Sequence, residues 1–164
     1  MDLRFLGIGA AFNPLMGNNG AFFTRQDDVF MIDCGEQAFL KFMKADLFSK
    51  YPGKITIILT HMHADHSGSL GTFCLYAAEV CKRPVTLVHP NDDVRTLLSL
   101  MGVRDDQVRV LRDYAEGGLH ITPLPTQHVP VIPAFSYFLE DEAGTIYYSG
   151  DTAELPGEVL DGLR

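Results

Sequence analysis

The stretch that decides the fold spans residues 55–70 and reads ITIILTHMHADHSGSL. Its first five residues are apolar or β-branched and follow a Pro-Gly pair, so they predict a short buried strand. Three histidines and an aspartate follow within six positions, namely His61, His63, Asp65 and His66. Alternate side chains of an extended chain point the same way, so His61 and His63 can face one ion. Asp65 and His66 form the other half of the cluster, where Asp65 could cap a helix.

This cluster predicts a metal site. A lone histidine is usually a surface residue or a satisfied core residue, but three beside a buried strand need partners or an ion. Imidazole and carboxylate are ligands of zinc, and the cluster contains no thiolate. Zinc is therefore favoured, with manganese or iron as alternatives.

Composition sets the broad class. The chain has 164 residues, 46% of them hydrophobic, which is enough for one domain over residues 1–164. No apolar run is long enough to cross a membrane, and the first residues lack a secretory signal. The chain has three cysteines, Cys34, Cys74 and Cys81, and an odd number argues against a disulfide framework. We therefore expect a cytoplasmic protein in which the cysteines are small buried side chains.

The net charge of −8 argues against a broad nucleic-acid surface, since such binders carry a basic face. It does not exclude a small phosphodiester, because bound metal ions bring their own positive charge.

Periodicity and turn residues predict a mixture of strands and helices with polar residues at strand ends, which is typical of an α/β or α+β fold with its site at one edge of the sheets. The other predicted strands cover residues 3–7, 21–24, 29–32, 84–88, 108–111, 119–124, 134–139 and 145–148. The predicted helices cover residues 37–49, 67–82 and 92–101. In the first helix, Phe39, Leu40, Met43 and Leu47 form the apolar face.

Two residues outside the cluster can complete a site for two ions. His128 follows an apolar strand, and Asp151 lies in a tight Gly-Asp-Thr turn. A pair of ions separated by about 3.5–4 Å can share a bridging carboxylate. We expect His61, His63 and His128 to hold the first ion. We expect Asp65 and His66 to hold the second, with Asp151 between the two.

Other polar residues have less certain roles. Asp33 closes a predicted strand, where it can support a ligand from behind or simply form a turn. The glycine-rich loop after residue 7 can border the site, although a plain turn is the favoured interpretation. His89 and His120 are interpreted as structural.

The sequence resembles the metallo-β-lactamase superfamily. The run from His61 to His66 carries the resemblance, supported in order by Asp33, His128 and Asp151. Further similarity to the ribonuclease Z and cyclic phosphodiesterase branch lies in segments 3–12, 32–36, 122–128 and 149–156. The resemblance implies an αββα sandwich and a metal-dependent hydrolase, with a phosphodiester as the expected substrate. It also implies that Asp65 orients the attacking water and accepts its proton.

Two departures from this family shape the expectation. Residues 67–127 are filled by ordinary elements, with no room for the arm that grips tRNA, so a small phosphodiester is expected as substrate rather than tRNA. The superfamily's last histidine ligand follows the Gly-Asp-Thr turn, whereas no histidine follows His128 here. We therefore expect a C-terminally truncated fold with a weakened second ion site, and association into a homo-oligomer through a bare edge.

Three alternatives stay open at this point. The same metal site could hydrolyse a thioester or lactam, or a single iron could support an oxygenase. A chain that lacks the last ligand could also be an inactive fragment.

Overall fold

The computed structural model describes residues 1–13 and 15–162, which form ten strands and six helices. The strands are β1 (Arg4–Gly7), β2 (Gly20–Arg25), β3 (Asp28–Ile32), β4 (Ile55–Ile58), β5 (Val85–Val88), β6 (Val108–Leu111), β7 (Tyr114–Glu116), β8 (Leu119–Val129), β9 (Ile132–Asp141) and β10 (Gly144–Tyr148). The helices are α1 (Ala38–Lys44), α2 (Leu47–Lys50), α3 (Ala64–Ser67), α4 (Leu70–Glu79), α5 (Asp93–Leu100) and α6 (Gly157–Gly162).

Two sheets form the framework. The larger has the order β1-β2-β3-β4-β5-β6, antiparallel from β1 to β3 and parallel from β3 to β6. The smaller is the antiparallel sheet β10-β9-β8-β7. Mixed α/β architecture is thus confirmed, and the carboxyl ends of β3, β4 and β5 meet at one edge of the larger sheet. Ligands of such sheets bind outside that edge.

Strand β4 is buried on both faces, which explains its unbroken apolar sequence. Ile55 and Ile57 enter the core that the larger sheet shares with the helices. Ile58 enters a second core, in which residues of the two sheets pack together. Because successive side chains of a strand point to opposite faces, β4 contributes to both cores. The smaller sheet packs on the second core and so lies beside the site.

The predicted helix over residues 37–49 is wrong as a single element. Asp46 adopts a left-handed conformation (φ 56°) and separates α1 from α2. The predicted apolar face is also wrong in part, because Leu40 and Met43 are exposed while Phe42 is fully buried. The ring of Phe42 packs 4.6 Å from that of Phe48, so the larger aromatic residue occupies the core.

Strand β8 extends beyond the predicted end at residue 124 and includes two prolines. Strand β7, which was not predicted, pairs with β8 only as far as Ile121. Pro123 and Pro125 lie beyond that point, where β8 pairs with β9 alone. A proline is tolerated there because one side of the strand has no partner to receive an N–H group.

The three cysteines are free thiols, as predicted, with Cys34 and Cys74 buried and Cys81 half-buried. Within residues 1–13 and 15–162, no helix is both long and apolar enough to cross a membrane.

Candidate metal centre

Three imidazoles converge just beyond the carboxyl end of β4. His61 Nε2 lies 2.9 Å from His63 Nδ1, and His128 Nε2 lies 3.2 Å from the same atom. Ligand nitrogens on a tetrahedral zinc ion, with bonds of about 2.0–2.1 Å, stand about 3.3 Å apart. The three nitrogens are therefore placed as the ligands of one ion would be.

A second group shares His61 with the first. The ligand atoms of His61, His66 and Asp151 all lie within 4.8 Å of one another. Asp65 Oδ2 lies 3.2 Å from His66 Nε2. Asp151 Oδ2 lies 3.5 Å from His66 Nε2 and 3.9 Å from His128 Nε2, so its carboxylate is close to a histidine of each group.

The contribution of α3 differs in one detail from the sequence prediction. His63 occupies the position before the helix, in extended conformation, and Asp65 lies in the first turn. The prediction that Asp65 caps this helix is wrong. The carboxylate instead faces His66 and lines the cavity over the histidines.

His128 owes its position to an irregularity in β8. Thr126 pairs with Ala134 and Val129 with Ile132, so β8 advances three residues while β9 advances two. Such a bulge redirects a side chain and is common beside functional sites. Here it lies at His128.

The Asp151 turn is fastened to the same part of β8. Ala153 N donates a hydrogen bond of 2.7 Å to Gln127 O, and the hydroxyls of Thr126 and Thr152 are in contact. Gly150 has a positive φ (57°), and a Cβ there would lie 3.0 Å from the side chain of Thr60. A glycine is needed because both the backbone conformation and the close approach disfavour any larger residue.

Asp33 supports the ligands from behind. Its Oδ2 accepts a hydrogen bond of 2.7 Å from His66 Nδ1, and its Oδ1 accepts one of 2.8 Å from Thr60 N. Asp33 also has a positive φ (63°), so it both turns the chain after β3 and orients an imidazole. Asp33 therefore has both of the roles that the sequence left open, because it supports a ligand from behind and forms a turn.

Thr60 is a residue that the sequence analysis missed. Its hydroxyl donates to Asp33 at 3.0 Å and lies 3.1 Å from His61 Nδ1. Because the hydroxyl proton points to Asp33, its oxygen accepts from His61 Nδ1–H, which leaves His61 Nε2 with a free lone pair. The only available signal was a hydroxyl residue between the apolar strand and the first histidine.

The electrostatics of the cluster favour a positive charge beside the carboxylates. Burial, reinforced by the charge on His66, lowers the pKa of His61 to about 3, so this imidazole is neutral and able to act as a ligand. Burial lowers the pKa of His66, but hydrogen bonds to Asp151 and Asp33 outweigh it and raise this pKa to about 10. The hydrogen bond to His66 lowers the pKa of Asp151. The neutral imidazole of His61 and the carboxylate of Asp151 are donors that fit a divalent cation, and a bound cation would take the place of the proton that Asp33 and Asp151 hold on His66.

Five of the six predicted ligands thus fall in the two groups, Asp65 lies beside the second group at 3.2 Å from His66, and Asp33 lies directly behind them. His89 and His120, interpreted as structural, are in neither metal-binding group among the described residues. His89 is buried, with its Nδ1 2.8 Å from Leu59 O.

Comparison with known proteins gives sequence relatives over most of the chain. A family model described as Anti-Pycsar protein Apyc1 matches residues 1–162. The Anti-Pycsar protein Apyc1 of Bacillus phage BSP38 is 31% identical over 178 residues, covering 92% of this chain and 68% of its own length. The human zinc phosphodiesterase ELAC protein 1 is 34% identical over 97 residues, covering 55% of this chain and 26% of its own length.

Solved structures show the same fold. The metallo-β-lactamase fold protein YhfI from Bacillus subtilis superposes with a TM-score of 0.78 at 19% identity, covering 97% of this chain and 66% of that one. The short form of human tRNase Z (ELAC1) superposes with a TM-score of 0.73 at 22% identity, covering 96% of this chain and 72% of that one. These likenesses confirm the metallo-β-lactamase-type fold. The chain spans about two thirds of YhfI.

Proposed function

Because this chain belongs to the Anti-Pycsar protein Apyc1 family, within the metallo-β-lactamase fold, we propose that it hydrolyses a small phosphodiester with the help of two divalent metal ions. The observation that carries the proposal is the convergence of five imidazole or carboxylate side chains near His61, four of which line one cavity. These side chains are His63, Asp65, His66, His128 and Asp151. The phosphodiesterase named in the human relative favours this bond over a thioester or lactam.

Each ion would be held in one of the two groups, and His61 would serve the first, because its Nδ1–H donates to Thr60 and the single lone pair on Nε2 can bind only one ion. His63 and His128 complete the first group, and His66 and Asp151, with Asp65 beside them, complete the second. The predominance of imidazole makes zinc the favoured ion. When bound, such ions lower the pKa of water and offset negative charge on a phosphoryl group.

The side chains around the cavity assign the remaining roles. Asp65 is half-buried, lines the cavity and is the carboxylate placed to accept the proton of the attacking water. Water attacks phosphorus, one ester P–O bond breaks, and the departing oxygen takes its proton from solvent. Asp33 and Thr60 hold His66 and His61 in the tautomers that leave their Nε2 atoms facing the site.

The charge of the cavity explains why metal ions are needed for an anionic substrate. The cavity has a volume of about 470 Å³, and its acidic lining residues are Glu36, Asp65 and Asp151. Among its described lining residues none is lysine or arginine. A phosphodiester would therefore be repelled unless cations supply the missing positive charge.

A chromogenic phosphodiester tests the proposal. The protein loaded with zinc or manganese should hydrolyse bis(p-nitrophenyl) phosphate, and a chelator should stop the reaction. Asp65→Ala should lower kcat by at least about 100-fold, since positioned proton transfer contributes about 10²–10⁴-fold. Asp113→Ala, which changes an exposed aspartate between β6 and β7, is the matched control and should keep full activity. Turnover in Asp65→Ala equal to that of the parent protein would remove Asp65 from the mechanism.

A further inference from the structure

A smaller cavity adjoins the candidate metal centre at the second ligand group. It has a volume of about 310 Å³, includes His66, and shares Asp65 and Asp151 with the larger cavity. Its other lining residues are residues 8–11 and Asn19. A phosphoryl group bound at the second ligand group would therefore share this cavity with Asn19.

The backbone on either side of Asn19 is held in place. Asn18 forms a β-bridge with Gly9, and its Oδ1 accepts a hydrogen bond of 3.2 Å from Gln37 N. Gly20, the first residue of β2, pairs with β1. Asn19 is half-buried between these two anchors. Its side chain can therefore serve the cavity without first ordering a loop, as a preorganised hydrogen-bond donor must.

Tyr148, the last residue of β10, faces Asn19. Its hydroxyl is buried and makes no hydrogen bond of normal geometry within residues 1–13 and 15–162. Burial raises the pKa of Tyr148, with help from the charges of Asp33 and Asp151, and the adjacent carboxamide of Asn19 opposes this shift. An unpaired buried hydroxyl is costly, so contact between the two groups is favoured. When the hydroxyl donates to the amide oxygen, the amide N–H groups are left for the cavity.

Asn19 also differs chemically from the other polar residues of the two cavities. Among the described lining residues, the remaining nitrogen-bearing side chains are His63, His66 and His128, which are candidate metal ligands. The acidic lining residues accept hydrogen bonds and repel an anion. In the transition state of phosphoryl transfer, negative charge is spread over the non-bridging oxygens, where a fixed N–H donor is stabilising. Asn19 is the side chain that offers such a donor without binding an ion.

We propose that Asn19 donates a hydrogen bond from its carboxamide to a non-bridging oxygen of the phosphoryl group, and that Tyr148 holds the carboxamide in this orientation. Asn19 is then a further catalytic residue, and Tyr148 is a positioning residue. The inference rests on the proposed function and adds no bond-making step, since the donor keeps its proton. The effect falls on kcat, because the hydrogen bond strengthens in the transition state.

Kinetics of the zinc-loaded protein with bis(p-nitrophenyl) phosphate test both assignments. Asn19→Ala should lower kcat by about 10²–10³-fold, the usual loss for one such donor, with KM changed less than about threefold. Asn19→Asp, which keeps the shape, should lose at least as much, because a carboxylate repels the phosphoryl oxygens. Tyr148→Phe should lower kcat about 2- to 10-fold and add nothing to Asn19→Ala. Asn13→Ala, which changes an exposed residue outside the described linings of both cavities, should match the parent protein.

Two binding measurements separate this role from a structural one. Zinc affinity, measured by competition with a chromophoric chelator, should be equal in Asn19→Ala and the parent protein. Inorganic phosphate carries more charge on its oxygens than a diester does. Calorimetric titration of the zinc-loaded protein with phosphate should therefore give an affinity about 10-fold or more weaker in Asn19→Ala. If circular dichroism shows Asn19→Ala to be unfolded, the isosteric Asn19→Asp provides the same comparisons.

Parent-like kcat or phosphate affinity in the folded Asn19 variants would overturn the inference. A loss of zinc affinity that accounts for the lost rate would overturn it as well, because Asn19 would then act on the ion. Additive losses in the Tyr148→Phe, Asn19→Ala double variant would overturn the positioning role of Tyr148. Absence of turnover of every phosphodiester by the metal-loaded parent protein would instead refute the proposed function, while the phosphate titration would still test Asn19.

Discussion

Replacing Thr60 by valine removes one hydroxyl group from the centre of the candidate metal site and changes little else. Thr60 is fully buried, and valine has nearly the same shape. The lost contacts are the 3.0 Å hydrogen bond to Asp33 and the 3.1 Å contact with His61 Nδ1. The 2.8 Å bond from Thr60 N to Asp33 belongs to the backbone and remains.

The expected loss of metal affinity follows from these contacts. A hydrogen bond to a charged group is worth about 1.5–3 kcal/mol. Removing a partner that orients a ligating histidine typically costs about 10- to 100-fold in metal affinity. That fold-change equals about 1.4–2.7 kcal/mol, so the two estimates agree. We therefore expect Thr60→Val to bind zinc about 10- to 100-fold more weakly than the parent protein.

Competition with a chromophoric chelator measures the zinc affinity directly, and circular dichroism verifies that the variant is folded. Thr56→Val is the matched control, because Thr56 is also buried but lies four residues earlier, within β4. It should retain the parent affinity. A folded Thr60→Val protein with parent affinity would refute the reasoning that the Asp33-Thr60-His61 chain selects the ligating tautomer.

Two further predictions concern stability and the support of α3. Burial lowers the pKa of His89, so the folded protein keeps this imidazole neutral while the unfolded chain takes up a proton below about pH 6.5. The free energy of unfolding should therefore fall on acidification below that pH, by at most about 1.4 kcal/mol per pH unit from this group. Measured by urea unfolding, the free energy of His89→Gln should depend less steeply on pH. An equal slope in both proteins would contradict the assignment. A Cβ on Gly35 would collide with the carbonyl oxygen of Asp65, so Gly35→Ala should displace α3, weaken zinc binding and cost about 1–3 kcal/mol in urea unfolding. Gly157→Ala, where a Cβ meets open space, is its control, and parent-like zinc affinity in Gly35→Ala would show that the backbone there can move without cost.

Sequence patterns predicted those parts of the molecule that depend on neighbouring residues. The apolar run before His61 forms a strand because each of its side chains is buried on one face or the other. The β2–β3 hairpin follows from two apolar runs separated by polar residues, and its turn consists of residues 26–27. The break at Asp46 was not predictable in this way, because tertiary packing overrode helical composition there.

The sequence by itself determined that His61, His63, Asp65 and His66 lie together as candidate metal ligands, since their spacing and the preceding strand bring them to one place. Only the tertiary structure decided that His61 belongs to both ligand groups, that Thr60 orients it, and that Asn19 lines a cavity beside them. Asp151 lies 90 positions after His61, and its approach depends on how the two sheets pack and on the bulge at His128. Local periodicity reports which face of an element is buried, whereas distances between remote residues are set by the packing of whole elements against one another.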